Sequence, residues 1–142
     1  MIAFRMHAPS RNVFDSSGAL LYPGRWHTAG TRVVYAAEHA SLATLETLIH
    51  AGGQKIPPRA ISLLHIPDNL PVETVPWMEL PDSQAYGNAW VQNRRSAILR
   101  IPSIAVNRME SNFMLNPAHP DFPSIHAEAP QEFVFNARFF GT

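Results

Sequence analysis

The chain has 142 residues, a formal net charge of +0, no cysteine and 46% hydrophobic side chains. That length and apolar content suit one globular folded domain rather than a disordered chain, and the absence of cysteine excludes disulfides. The lack of cysteine excludes thiolate catalysis and cysteine-ligated zinc, and the balanced charge leaves no basic stripe for a nucleic acid.

Ile2 to Met6 (IAFRM) opens the chain as a predicted strand, with Ile2, Phe4 and Met6 alternating on one face and Arg5 on the other. Its short apolar run lacks the core of a signal peptide, and no run reaches the roughly 20 residues of a membrane span, so the expected location is the cytoplasm. Asn12 to Leu20 reads as an irregular loop around Asp15-Ser16-Ser17-Gly18. Pro23-Gly24 and Thr28-Ala29-Gly30 mark turns, which puts Arg25 and Trp26 on a short connection. Thr31 to Ala36 (TRVVYA) is rich in β-branched and aromatic residues and predicts a strand. From about Glu38 the period changes. Leu42, Leu45 and Ile49 recur at helical spacing, Leu48 widens the stripe, and Gly52-Gly53 ends the helix.

Glu46 breaks this stripe. It lies roughly 40° around the helix from Leu42, on the edge of the expected buried face. A carboxylate there needs a partner or a wet cleft. Tyr35 is placed to reach it from the strand, and Arg25 could supply positive charge. The two readings are a packing Arg–Glu pair and a site carboxylate.

Further on, Ala60 to Ile66 (AISLLHI) reads as a strand, Leu70 to Val75 as a short extended segment, and the segment AYGNAWVQNRRSA, begun by Asp82 to Tyr86, as a helix with a Gly near its start and Trp90 and Val91 inward. Ala97 to Ile101, Ile104 to Val106, Phe113 to Leu115 and Glu132 to Phe135 are the remaining apolar runs expected to be extended. The 13 prolines cut the chain short and argue against a helical bundle. Together these elements predict an α+β fold with mixed or antiparallel sheets, in a single domain over residues 1–142. His119-Pro120-Asp121 and His126 form the densest histidine cluster, but the proline prevents helical i, i+4 ligand pairing, and no metal is expected. The stretch predicts instead a rigid loop beside a cleft. No glycine fingerprint for a dinucleotide cofactor or P-loop is present. Ser103, after Pro102 at a strand end, reads from local sequence alone as a turn or cap residue.

The central run GRWHTAGTRVVYAAEHASLATLETLIH closely resembles the core of the RES domain family. The likeness extends from Phe4-Arg5 through Ile101-Pro102-Ser103 to Asn116-Pro117 and His119-Pro120-Asp121-Phe122. One departure stands out: His27 follows Gly-Arg-Trp where the family commonly has Asn. The resemblance implies a compact fold similar to the ADP-ribosyltransferases. It implies a toxin of a toxin–antitoxin pair that splits the nicotinamide–ribose bond of NAD, with inorganic phosphate (NAD phosphorylase) or water (NAD glycohydrolase) as acceptor. By resemblance the site residues are Arg5, Arg25, Tyr35, Glu46 and Ser103, with Trp26 as a cleft wall. NAD would be consumed as substrate, with no cofactor and phosphate as co-substrate. The implied partner is an Xre-type antitoxin with a DNA-binding domain that blocks the cleft; a homodimer is allowed, and neither direct nucleic-acid binding nor a membrane is expected. Rival readings are ADP-ribosyl transfer to a protein target and a catalytically inactive partner-binding module, with a nuclease disfavoured by the neutral charge.

Overall fold

The computed structural model describes residues 1–76 and 80–141. Eight strands form one sheet: β1 (Ile2–His7), β2 (Val34–Ala37), β3 (Arg59–His65), β4 (Val72–Thr74), β5 (Ile98–Pro102), β6 (Ser111–Leu115), β7 (His126–Ala127) and β8 (Gln131–Phe133). The order is β4-β5-β6-β2-β1-β3-β7, with β8 also pairing β3. Every pairing is antiparallel except β4 with β5. The middle of this order is its weakest seam. β1 and β2 share the single register pair Phe4↔Ala37, whereas β1 pairs with β3 over its whole length and β2 with β6 over four residues. The fold is therefore the expected mixed α+β domain, with one sheet made of two halves that meet at β1 and β2.

Packing explains the sequence pattern. On β6, Phe113 and Leu115 join a core with Val34, Ile98 and Leu64, while Met114 faces a second core with Val33, Leu99 and Trp90. Strands covered on both faces need no polar alternation, and VVYAA, AILRI and NFML read accordingly as near-continuous apolar runs. The second face is covered by α3 (Ser83–Gln92), whose Asp82 caps its start by accepting from Ala85 N at 3.0 Å. Trp90 is fully buried and donates to Ser96 Oγ at 2.9 Å, as a buried indole requires. α2 (Ala40–Ala51) ends at Gly52, whose φ of 60° is the left-handed conformation that favours glycine.

Four expectations are corrected. Residues 17–21 form a short helix, α1 (Ser17–Leu21), whose first residue donates its backbone N–H to Asp15 Oδ1 at 2.8 Å, in place of an irregular loop. On β1 the buried residues are Ala3 and His7, on Arg5's side of the strand; Ile2 is exposed, and Phe4 and Met6 line the cleft described below. Ile104–Val106 is a 3-10 turn, not a strand. The Asn116–Pro123 run does not border the cleft. Asn116 is buried, donates to Val91 O and accepts from Ala118 N, and Phe122 packs edge-on against Phe14 at 5.1 Å, so the run ties strand ends to the core. Among the described residues no helix is long and apolar enough to cross a membrane.

Buried His7 gives the fold a pH dependence. Its Nδ1 lies 3.0 Å from Ala8 O and its Nε2 2.8 Å from Ser62 Oγ. A carbonyl only accepts, so Nδ1 carries the proton and Ser62 donates to Nε2. Burial, more than the bond to Ala8 O can offset, holds the His7 pKa below its ordinary 6.5, and the positive charges of Arg5 and Arg59 add to this. The unfolded chain then binds the extra proton first, so stability should fall as pH drops below about 6.5 towards the lower folded value. Urea midpoints measured from pH 7.5 to 5 should show this decline, and His7→Gln should flatten it. An unchanged slope would remove His7 as the cause.

Candidate active site

Where the sheet halves meet, a cleft of about 1210 Å³ opens, somewhat larger than a usual ligand site of roughly 300–1,000 Å³. All six residues singled out in the sequence line it: Arg5, Arg25, Trp26, Tyr35, Glu46 and Ser103. Their roles differ from the expectation in several respects.

Glu46 is the centre. The face of α2 that meets the cleft is Ala43, Glu46, Thr47 and His50, the i, i+3, i+4, i+7 stripe of a helix. The leucine stripe turns outward instead: Leu45 and Ile49 are 40% and 59% exposed, and only Leu42 of that set is buried. Glu46 is therefore a cleft residue and not an intruder in a core. Its Oε1 accepts from Ser103 Oγ at 2.8 Å and from Asn112 Nδ2 at 3.0 Å. No arginine among the described residues forms an ion pair with it, so the packing pair with Arg25 is not formed. Two neutral donors orient the carboxylate without neutralising it.

Ser103 is 2% exposed and does two jobs. Its Oγ accepts from Ala105 N at 3.2 Å, the local turn bond expected of it, while its proton goes to Glu46. It positions the carboxylate. Asn112 does the same from β6 and was missed in the sequence; the available signal was an amide inside the apolar run SNFML.

Arg5 is committed elsewhere. Its Nε donates to Val13 O at 2.5 Å, Nη1 to Tyr35 O at 2.8 Å and Nη2 to Asp15 O at 3.3 Å. These bonds lash β1, the following loop and β2 together beside the seam. Burial first, and then nearby Arg59, lower its pKa to about 10 against the opposing pull of Asp15. Even so, it stays charged at neutral pH and adds positive potential to the cleft wall.

Arg25 and Trp26 sit on a loop pinned by α3. Ser83 Oγ donates to Arg25 O at 2.5 Å, and Gln84 Nε2 donates to Gly24 O at 2.9 Å. Trp26 meets Tyr86 edge-on at 6.3 Å. With its backbone held, the exposed Arg25 side chain reaches into the cleft.

The departure at His27 has a structural consequence. Buried His27 places Nε2 3.0 Å from Tyr22 O and Nδ1 2.6 Å from the Tyr35 hydroxyl. The carbonyl requires the proton on Nε2, so in the neutral ring Nδ1 accepts from Tyr35. A Cβ at Gly24 would stand 2.9 Å from the His27 ring and 3.0 Å from the Tyr35 oxygen, which explains the glycine before Arg25. Burial raises the Tyr35 pKa, partly offset by the Trp26 backbone, so the side chain is a phenol and not a base.

Overall charge is zero, but the cleft is not neutral. Arg5, Arg25, Arg59 and Arg108 line it, and Glu46 is the one carboxylate among its described lining residues. An apolar floor with clustered guanidiniums suits a ligand that joins flat rings to anionic groups. Among the described residues no group of acidic, histidine or cysteine side chains gathers to hold a metal; His126 lies on β7 opposite His65, apart from the cleft.

Comparison with known proteins agrees with this architecture. The chain is 33% identical over 140 residues to the Prs ADP-ribosylating toxin of Sphingobium sp. (strain YBL2), covering 87% of this chain and 84% of that protein. It is 34% identical over 134 residues to Toxin Res of Photorhabdus laumondii (86% and 85% covered), and 31% identical over 149 residues to Toxin Res of Pseudomonas putida (99% and 100%). A chain of the M. tuberculosis MbcT–MbcA toxin–antitoxin complex has the same fold, with a TM-score of 0.75 and 13% identity over 94% of this chain and 84% of that one. The model of the RES domain matches residues 2–136, and the chain belongs to the RES domain family.

Proposed function

We propose that this protein is a toxin enzyme that binds NAD in the cleft and breaks its nicotinamide–ribose bond, passing ADP-ribose to inorganic phosphate. The observation that carries the reading is Glu46: a carboxylate held by two neutral donors in an arginine-lined cleft. As the glycosidic bond stretches, positive charge builds on the ribose. Glu46 Oε1 is occupied by Ser103 and Asn112, which leaves Oε2 to face that charge or a ribose hydroxyl. Arg25 supplies charge-assisted hydrogen bonds to the diphosphate. Tyr35 and Trp26 are flat walls for a ring. The nicotinamide leaves as a neutral base, so no general acid is required, in keeping with a protonated, unreactive Tyr35. A phosphate oxygen then attacks the ribose carbon, and the products are nicotinamide and ADP-ribose 1″-phosphate. A cognate antitoxin would silence the enzyme by covering the cleft, a reading supported by the fold shared with a chain of a toxin–antitoxin complex. The second reading, transfer of ADP-ribose to a protein, is favoured by the name of the Sphingobium relative.

Product analysis tests these readings together. Purified protein with NAD and a chelator should release nicotinamide, and phosphate should raise the rate and appear in the product by mass spectrometry. Equal rates without phosphate, giving ADP-ribose alone, would make the enzyme a glycohydrolase. Mass added to an included protein would make it a transferase, and no nicotinamide from folded protein would end the enzymatic reading.

A further inference from the structure

Arg59 is a cleft residue with no structural task. It is the first residue of β3, entered through Pro57-Pro58, and its backbone is held in register opposite Phe133. Its side chain lines the main cleft and also a smaller groove walled by Pro9, Pro58, Pro130 and Glu132. Glu132 shares that groove but forms no ion pair with it, nor does any other described carboxylate. Its Nε is buried without a hydrogen-bond partner among the described residues. The contrast with Arg5 is direct: there all three nitrogens donate to main-chain carbonyls. Buried polar groups in folded proteins are nearly always satisfied, so this guanidinium, which lines a cavity with its Nε unpaired, has bonding capacity left for a ligand. The two arginines also repel: Arg59 lowers the Arg5 pKa, an unfavourable arrangement that an anion between or beside them would relieve.

We infer that Arg59 is a phosphate-binding residue of the cleft, its guanidinium donating paired hydrogen bonds to a phosphoryl group. The ligand chemistry has two sources under the proposed function, on which this inference rests: the diphosphate of the dinucleotide and the acceptor phosphate. Arginine is suited to both because its planar fork matches two phosphoryl oxygens.

Calorimetric titration of the folded protein with ADP-ribose, and with adenosine as the phosphate-free control, tests the inference without turnover. Arg59→Ala should weaken ADP-ribose binding about 10–100-fold, the effect of a lost charge-assisted contact, and leave adenosine binding unchanged. Arg59→Lys, which keeps charge and length, should fall between; it also serves as the test if the alanine variant does not fold. Unchanged ADP-ribose affinity with a tenfold or greater rise in the half-saturating phosphate for NAD loss would assign Arg59 to the acceptor. If neither quantity moves while the wild type consumes NAD, the inference fails and the proposed function stands. If the wild type releases no nicotinamide yet binds ADP-ribose through Arg59, the reverse holds.

Discussion

Glu46→Gln should lower the rate of nicotinamide release by about 10²–10³, the usual effect of removing one electrostatic contact to a transition state. The geometry makes this substitution unusually clean. Ser103 and Asn112 both donate to Oε1, and the carbonyl oxygen of glutamine can accept both bonds unchanged. What disappears is the negative charge, along with an acceptor at the second oxygen. Thermal stability should hold or rise slightly, because no arginine loses an ion-pair partner. A packing role predicts the opposite: a melting temperature several degrees lower, with folded protein retaining its rate. Measuring both on one sample separates the cases, and the second outcome would remove Glu46 from the chemistry.

Glu46 was legible in the sequence because it violated a pattern. A carboxylate within a leucine stripe has to be explained, and the explanation was a cleft. The same pattern misled about the helix as a whole. Leu45 and Ile49 look like core positions at helical spacing, yet α2 lies along an open cleft, and the face it presents there is Ala43, Glu46, Thr47 and His50. Hydrophobic periodicity reports burial only where a helix is packed on its apolar side. The donors to Glu46 were less legible, since Ser103 and Asn112 arrive from β5–β6, 57 and 66 residues away in sequence. Arg5 shows a further limit. Its place beside the cleft follows from family likeness alone, since strand alternation sets it on the face opposite Phe4 and Met6, and its commitment to the carbonyls of Val13, Asp15 and Tyr35 depends on a loop and a strand meeting in space. Arg59 carried no pattern at all: one charge after two prolines reads as a solvated strand end.

Gly87→Ala should be the most damaging glycine-to-alanine change by crowding among the described glycines. In an isolated helix the change is favourable by up to about 1 kcal/mol, because alanine is the better helix former. In α3 a Cβ at position 87 would sit 1.7 Å from Trp26 O and 2.8 Å from Trp26 C, with Met114 Cε at 3.1 Å. The methionine can swing away. The carbonyl cannot, since its loop is held by Ser83, Gln84 and Asn88 from the same helix. Helix and loop must separate, at a cost typical of overpacking, about 1–3 kcal/mol or more, which for this length lowers the melting temperature by roughly 3–10 °C. The displaced loop carries Arg25 and Trp26, so surviving folded protein should also bind ADP-ribose more weakly. Gly18→Ala is the control: it lies in α1 with nothing within 4 Å of a built Cβ and should hold or raise stability. A rise in melting temperature for Gly87→Ala, matching that expected of Gly18→Ala, would show that the Trp26 carbonyl does not abut α3. The close approach of α3 to the Trp26 carbonyl, which only a glycine at 87 allows, together with the bonds from Ser83 and Gln84, holds the loop that carries Arg25.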